Sequence, residues 1–67
     1  MDVRRRVGGN ILRLRTAVGW SQEELAHNAG LHRTYVSGLE RGVRNPTITV
    51  LERIAKALEA TLADLVA

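Results

Sequence analysis

The sequence lacks cysteine, and it has no apolar run that approaches the ~20 residues of a membrane span. Without cysteine there is no disulfide, no thiolate nucleophile and no cysteine-based zinc site. The basic start MDVRRRV is not followed by the apolar segment of a signal peptide. These absences predict a protein of the reducing cytoplasm that has no membrane partner and is held together by its own core.

Charge is unevenly distributed along the 67 residues, which suffice for one domain over 1–67. Nine arginines and one lysine oppose seven acidic residues, for a net charge of +3. Half of the cations lie within the first fifteen residues: Arg4, Arg5, Arg6, Arg13 and Arg15. The excess favours a polyanionic partner, since arginine binds phosphates and guanine edges well. The alternative is a solvated surface with a disordered basic start over residues 1–5.

Hydrophobic periodicity predicts five short helices and no strand, the pattern of an all-α domain. The first helix is expected from about Arg4 to Val18, and the fourth from just after Thr47 to about Leu58 or Glu59. Their apolar stripes consist of Val7, Ile11, Leu14 and Val18 in the first, and of Ile48, Leu51, Ile54, Ala55 and Leu58 in the fourth. Each stripe predicts that one face of its helix is buried.

Two shorter helices lie between these, separated by a tight turn. Ser21 and Glu24 have the spacing of a capping box, which predicts a helix of about eight residues that stops at Gly30. The next helix is expected from Arg33 to about Glu40, and its N-cap, His32, is a poor capping residue. Two short helices joined by about three residues, with alanines at the contact, predict a helix-turn-helix.

The outward face of the second of these helices is unusual for a helix that only needs to be soluble. In GLHRTYVSGLERG, the outward positions of this helix are occupied by Arg33, Thr34, Ser37 and Gly38, and not by long glutamate or lysine side chains. In a helix-turn-helix this helix enters the major groove, which is about 12 Å wide, and its N-terminal residues reach base edges. Arg33 can also be interpreted as solvated, but a cation at a helix N-terminus is unfavourable, which favours a ligand.

A longer motif contains this stretch, in WSQEELAHNAGLHRTYVSGLERGVRNPTITVLERIAKAL. It reads Ser-Gln-x-x-Leu-Ala, then a glycine, then Leu-Glu-Arg-Gly and Arg-Asn-Pro. On these residues the chain resembles the Cro/repressor-type helix-turn-helix (XRE) family over roughly residues 7–66. Within it, RTYVSGLERGVRN is most similar to controller proteins of bacterial restriction–modification systems. The resemblance implies a compact five-helix lambda-repressor-like domain that binds double-stranded DNA and regulates transcription.

The resemblance also implies roles for individual residues. Positions that match DNA-contacting residues of the family are Gln22, Arg33, Thr34, Tyr35, Ser37, Arg41, Arg44 and Asn45. Arg33 and Thr34 match base-reading positions, Gln22 and Tyr35 match phosphate-contacting ones, and Ser37 matches either. Residues 41–45 match a loop along the DNA backbone. Arg15 and Glu40 match a partly buried structural ion pair between helices 1 and 3.

The chain departs from the family pattern at two places. Gly38 stands where many repressors carry a long polar base-reading side chain, so we expect one base contact fewer. Glu59 and Ala60 stand where the family often has glycine between helices 4 and 5. The turn there is therefore expected to be strained or differently shaped, which affects any dimer built on it.

One such unit reads about four or five base pairs, so a homodimer on a palindrome is expected. Leu62, Leu65 and Val66 of helix 5 are more apolar than a short tail needs, and we predict that they form the dimer interface. One alternative is an antitoxin-like protein that binds a toxin as well as its operator. Another is a nonspecific basic protein that coats DNA.

Catalysis and metal binding are not expected from this sequence. His27 and His32 are its only histidines, and no cysteine accompanies them. A catalytic pair of histidine with Ser21 or Ser37 has no oxyanion loop behind it, and a small helical domain offers little cavity. We therefore predict no enzyme activity, no cofactor and no small-molecule ligand.

Overall fold

The computed structural model describes residues 2–67, which form five helices and no strand. The helices are α1 (Val3–Ala17), α2 (Gln22–Ala29), α3 (Arg33–Glu40), α4 (Ile48–Ala57) and α5 (Leu62–Val66). The all-α prediction is confirmed, and the bounds of α2 and α3 are those predicted. α1 packs against α3 and α5, whereas α2 packs against α3 and α4.

Side chains cap the start of every helix in this range except α3. Ser21 and Glu24 form the capping box that their spacing predicted, and Thr61 and Asp64 form a second one at the start of α5. The Thr61 backbone N–H donates to the Asp64 carboxylate and holds the pKa of that carboxyl below its usual value. His32 gives α3 no side-chain cap, so its first-turn N–H groups have no side-chain acceptor.

The basic start of the chain is helical and not disordered. Asp2 is the N-cap of α1 and accepts a hydrogen bond of 2.9 Å from the backbone N–H of Arg4. Hydrogen bonds from the side chain and backbone of Arg4 lower the pKa of Asp2. The alternative of a disordered start is therefore wrong for residues 3–5, and Met1 lies outside the described residues.

The first four helices all end in the same way. Within two residues of each end, one residue takes a left-handed conformation. The N–H of the residue that follows it donates back to a carbonyl in the last turn, which is the Schellman arrangement. The left-handed residues are Gly19, Gly30, Gly42 and Glu59, with φ of 79°, 69°, 76° and 53°. Glycine takes this conformation freely, but a side chain makes it costly. The expected strain between α4 and α5 therefore lies in the backbone of Glu59.

Replacing Glu59 with glycine should stabilise the domain by about 0.5–1 kcal/mol, because the left-handed conformation costs glycine less. In a domain of this size the gain corresponds to a rise in Tm of about 2–8 °C. Thermal unfolding followed by circular dichroism would measure it. Glu59→Ala is the matched control, since it removes the same charge and keeps a Cβ. An equal rise in Tm for alanine would show that the charge matters and the backbone does not.

The core draws on all five helices. Its buried apolar residues are Val7, Ile11, Leu25, Ala26, Ala29, Val36, Leu39, Leu51, Ile54, Ala55, Leu58 and Leu65. Two residues assigned to the predicted stripes are instead exposed: Val18 at 49% and Ile48 at 63%. Both stand at a helix end, where the chain has already passed the edge of the core. Periodicity alone does not show where that edge lies.

Leu65 corrects the prediction for helix 5. Its side chain is 0% exposed and belongs to the core of its own chain, so it has no surface to offer a partner. The Asn10 amide donates to the carbonyls of Leu65 and Ala67, at 2.9 and 3.1 Å, and ties α5 to α1. Of the three predicted interface residues, Leu62 is half-buried and Val66 is 41% exposed.

Candidate nucleic-acid interface

The two faces of α3 differ sharply in burial. Val36 and Leu39 are buried in the core, which fixes how the helix is rotated about its axis. Arg33 and Thr34, the first two residues of the helix, are consequently exposed, and Ser37 is half-buried. The predicted base-reading residues thus lie on the solvent side of α3, at its N-terminal end.

The turn between α2 and α3 is fixed by hydrogen bonds from both sides. The Leu31 N–H donates to the Ala26 carbonyl at 2.8 Å. The Arg53 guanidinium of α4 donates to the carbonyls of Ala29 and Gly30, at 3.1 and 2.7 Å. A cation at a helix C-terminus is favourable, so Arg53 stabilises the end of α2. Arg53 was not predicted, because nothing in its sequence neighbourhood indicates which helix end it reaches.

The predicted ion pair between α1 and α3 is present and bidentate. Arg15 Nε and Nη2 donate to the two carboxylate oxygens of Glu40, at 2.6 and 3.0 Å. The remaining Arg15 nitrogen, Nη1, donates to the Trp20 carbonyl at 2.7 Å. Only 11% and 4% of the two side chains are exposed. Hydrogen bonding to Glu40 raises the pKa of Arg15 above its usual value.

Gln22 joins this network at the start of α2. Its Nε2 donates to Glu40 Oε1 at 2.9 Å, so the amide is held in place. Gln22 and Arg33 line one open cleft, together with Arg15, Ser21 and Glu23. Gln22 and Arg33 are eleven positions apart in the sequence, but both line this cleft. The cleft thus combines a residue predicted to contact a phosphate with one predicted to contact bases.

The loop after α3 brings further predicted residues together. Arg41, Arg44 and Asn45 are all exposed. The guanidinium carbon of Arg44 lies 5.8 Å from the centroid of the Tyr35 ring, within the range of a cation–π contact. Tyr35, in the first turn of α3, is thus in contact with the loop that follows the helix.

Gly38 occupies a different place from the one expected. It is buried, and the stem of Arg44 covers it, so it does not belong to the exposed outer face of α3. The prediction that it forms part of the groove-facing surface is therefore wrong. The physical reason is the course of the loop, which returns over the last turn of α3.

Two other glycines bring α1 close to the end of α3. A Cβ on Gly8 would overlap the backbone carbonyl of Leu39, and one on Gly42 would lie 2.7 Å from Cγ of Arg5. These contacts place the first turns of α1, with their arginines, beside the loop that begins at Arg41. The sequence does not distinguish Gly8 from Gly9, since both lie inside α1 and a Cβ added to Gly9 would have no neighbour within 4 Å.

Residues 2–67 contain no candidate metal centre. Nowhere in this range do three or more His, Asp or Glu side chains gather as a metal ion requires. Within the described range, no helix combines the length and the hydropathy that a membrane span needs.

A short helix pair with a glycine turn, whose second helix turns a polar face outward, defines a helix-turn-helix domain. The family model described as helix-turn-helix (HTH_3) matches residues 11–65. The chain belongs to this family, and its predicted XRE-type class is confirmed.

Relatives and solved structures agree with this assignment. An HTH-type transcriptional regulator of Sinorhizobium fredii, y4dJ, is 46% identical over 98% of this chain and 86% of its own length. Control protein C.SmaI of Serratia marcescens is 40% identical over 97% and 77%. The restriction–modification controller protein C.AhdI of Aeromonas hydrophila has a crystal structure that superimposes with a TM-score of 0.90 at 42% identity, covering 92% and 94%. The chain is thus a DNA-binding transcription regulator related to restriction–modification controller proteins.

Proposed function

We propose that this protein recognises a specific double-stranded operator through the exposed face of α3 and binds it as a homodimer. One observation carries the proposal. Burial of Val36 and Leu39 turns Arg33 and Thr34 to solvent at the N-terminal end of α3. That end is the part of a recognition helix that reaches base edges in the major groove.

Arg33 and Thr34 are assigned to base reading. An exposed arginine gives two hydrogen bonds to O6 and N7 of a guanine, and threonine contacts either base edges or a thymine methyl group. No salt bridge within residues 2–67 involves Arg33, so its guanidinium is available to a base. Arg33 therefore carries the main sequence preference.

Five residues in and around α3 are assigned to the DNA backbone. Gln22 lies at the N-terminus of α2, where the helix dipole and free N–H groups favour a phosphate. The others are Tyr35, in the first turn of α3, and the loop residues Arg41, Arg44 and Asn45. Ser37, half-buried in the middle of α3, serves as a further base or phosphate contact. Such contacts set the register of the protein on DNA, while base contacts set its specificity.

A dimer is proposed because one small module reads too few base pairs for typical operator affinity. Two copies related by a twofold axis would place two α3 helices on half-sites about one helical turn apart. Leu62 and Val66 are the residues of α5 that retain apolar surface, and we assign them to the interface. The names of the relatives C.SmaI and C.AhdI support control of restriction–modification genes as the role, exercised in the cytoplasm.

The test is a selection of bound duplexes from random DNA, followed by titration of the selected and a scrambled duplex at two salt concentrations. We expect a palindromic site that is bound about 10³-fold or more tightly than the scrambled duplex. The nonspecific part of the binding should weaken steeply with salt, since it arises from counterion release. Equal affinities for both duplexes would rule out operator recognition and favour a nonspecific DNA-coating protein.

Val66→Asp should weaken dimerisation by about tenfold or more, because a charge would replace apolar surface in the assigned interface. Sedimentation equilibrium over a range of protein concentrations would measure the change. Val18→Asp is the control, since Val18 is a comparably exposed valine on another helix end. A dimer equally strong in Val66→Asp and the parent protein would place the interface elsewhere.

A further inference from the structure

The space in front of Gly38 is filled by a side chain from the following loop. A Cβ built on Gly38 would lie 2.6 Å from Cγ of Arg44, 3.4 Å from its Nε and 3.5 Å from its Cδ. The hydrocarbon stem of Arg44 thus occupies the volume that any other residue at position 38 would use. Gly38 is buried by this contact, although it lies in the last turn of an otherwise amphipathic helix.

The backbone brings Arg44 to this place. The Gly38 carbonyl accepts hydrogen bonds from the N–H groups of both Val43 and Arg44, at 3.0 and 3.3 Å. The bond from Val43 belongs to the left-handed turn at Gly42, which ends α3. The loop is therefore folded back over α3 by main-chain bonds that do not depend on the side chain of Arg44.

The head of Arg44 reaches the ring of Tyr35. Tyr35 and Gly38 are three positions apart, so they are neighbours on one side of α3. The stem of Arg44 crosses Gly38, and its guanidinium lies 5.8 Å from the centre of the Tyr35 ring. Glycine at position 38 is what permits the stem to lie this close to the helix.

We propose that Gly38 is a positioning residue for DNA binding. Because it has no side chain, the stem of Arg44 packs against it, and the Arg44 guanidinium is held over Tyr35 before DNA binds. This inference rests on the proposed function, in which Arg44 and Tyr35 contact the DNA backbone. A guanidinium already held in place loses less conformational freedom on binding, and preorganisation of this kind increases affinity. Gly38 thereby strengthens a contact to the DNA backbone without touching DNA itself.

A double-mutant cycle on DNA binding tests the coupling. The probe is the duplex recovered by the selection described above, titrated with the parent protein, Gly38→Ala, Arg44→Ala and the double variant. Gly38→Ala should weaken binding by about twofold to fivefold, the size of one exposed cation–π contact. In the Arg44→Ala background the same change should have no effect, because there is no side chain left to displace. Equal losses in both backgrounds, or no loss in either, would overturn the proposal.

Gly9→Ala is the matched control for this cycle. Gly9 also lies inside a helix, but a Cβ added there has no neighbour within 4 Å. Both alanine variants should melt at or slightly above the Tm of the parent, because alanine favours the helix over glycine. Only Gly38→Ala should lose affinity. If Gly9→Ala loses the same amount of affinity, the effect arises from helix propensity, and the proposed role of Gly38 in positioning Arg44 is wrong.

A measurement without DNA separates this inference from the proposed function. In the free protein, protons of the Arg44 side chain near the Tyr35 ring should show upfield NMR shifts from the ring current. Those shifts should shrink in Gly38→Ala and persist in Gly9→Ala. If the parent shows no such shifts, Arg44 is not held against Tyr35 and the inference fails. If the shifts are present but the selection recovers no preferred duplex, the contact between Arg44 and Tyr35 is confirmed and operator recognition fails.

Discussion

Glu40→Ala should lower the free energy of unfolding by about 3 kcal/mol, the lower end of the range for a broken buried ion pair. The change leaves the buried guanidinium of Arg15 without its counter-charge and removes the acceptor of Gln22 Nε2. The lower end applies because the pair lies close to the surface of a small domain. Denaturant unfolding followed by the fluorescence of Trp20, the only tryptophan, would measure the loss.

Arg4→Ala is the matched control for this prediction. It breaks the Arg4–Asp2 pair, whose side chains are 45% and 39% exposed, so solvent screens the charges. Its midpoint of unfolding should stay close to that of the parent. A comparable loss in the two variants would contradict the distinction between buried and exposed pairs, and a negligible loss in Glu40→Ala would mean that α1 and α3 are held together by apolar packing alone.

Arg33→Ala should cost about 1–3 kcal/mol of binding free energy at the cognate operator and relax the preference at a single base-pair position. The reason is the loss of a bidentate contact that discriminates guanine from other bases. Titrations of the variant against a set of duplexes, each mutated at one position of the half-site, would measure both effects. Folding should be unaffected, because the Arg33 side chain is exposed and does not contribute to the core.

Arg13→Ala separates base reading from general charge. Arg13 is also an exposed arginine, so Arg13→Ala has the same net charge as Arg33→Ala. Arg13 lies on α1 near Asp64 of α5, away from the start of α3. Its affinity should fall little at any operator position. If Arg33→Ala weakens binding to every duplex by the same factor, Arg33 acts on the phosphates and the assignment to bases is wrong.

The helices and their ends were predictable because the signals are local. A capping box links a residue with its third neighbour, as at Ser21 and Thr61, and a left-handed glycine acts within one turn, as at Gly30. Such contacts form wherever the helix forms, whatever packs around it. The apolar stripes were less informative at their ends, so Val18 and Ile48 were assigned to the core although both are exposed.

The Arg15–Glu40 pair came from the family resemblance and not from spacing, since its partners are 25 positions apart. The contacts of Asn10 with α5 and of Arg53 with the end of α2 join residues that are separated by 23 to 57 positions, and they were not predicted. The burial of Leu65 was not predicted either, because α5 packs against α1 and α4 and most of the contacting residues are far from Leu65 in the sequence. An apolar side chain in a short C-terminal helix suits a core and an interface equally well.

The sequence by itself determined the five helices, their caps, the basic character and the helix-turn-helix, because each depends on neighbours within a few positions or on composition. Only the tertiary structure decided that Leu65 belongs to the core, that the start of α1 lies beside the loop after α3, and that Arg44 covers Gly38. These outcomes depend on how the helices are rotated and how closely they approach. That geometry is set by packing between residues far apart in the chain, which no local pattern encodes.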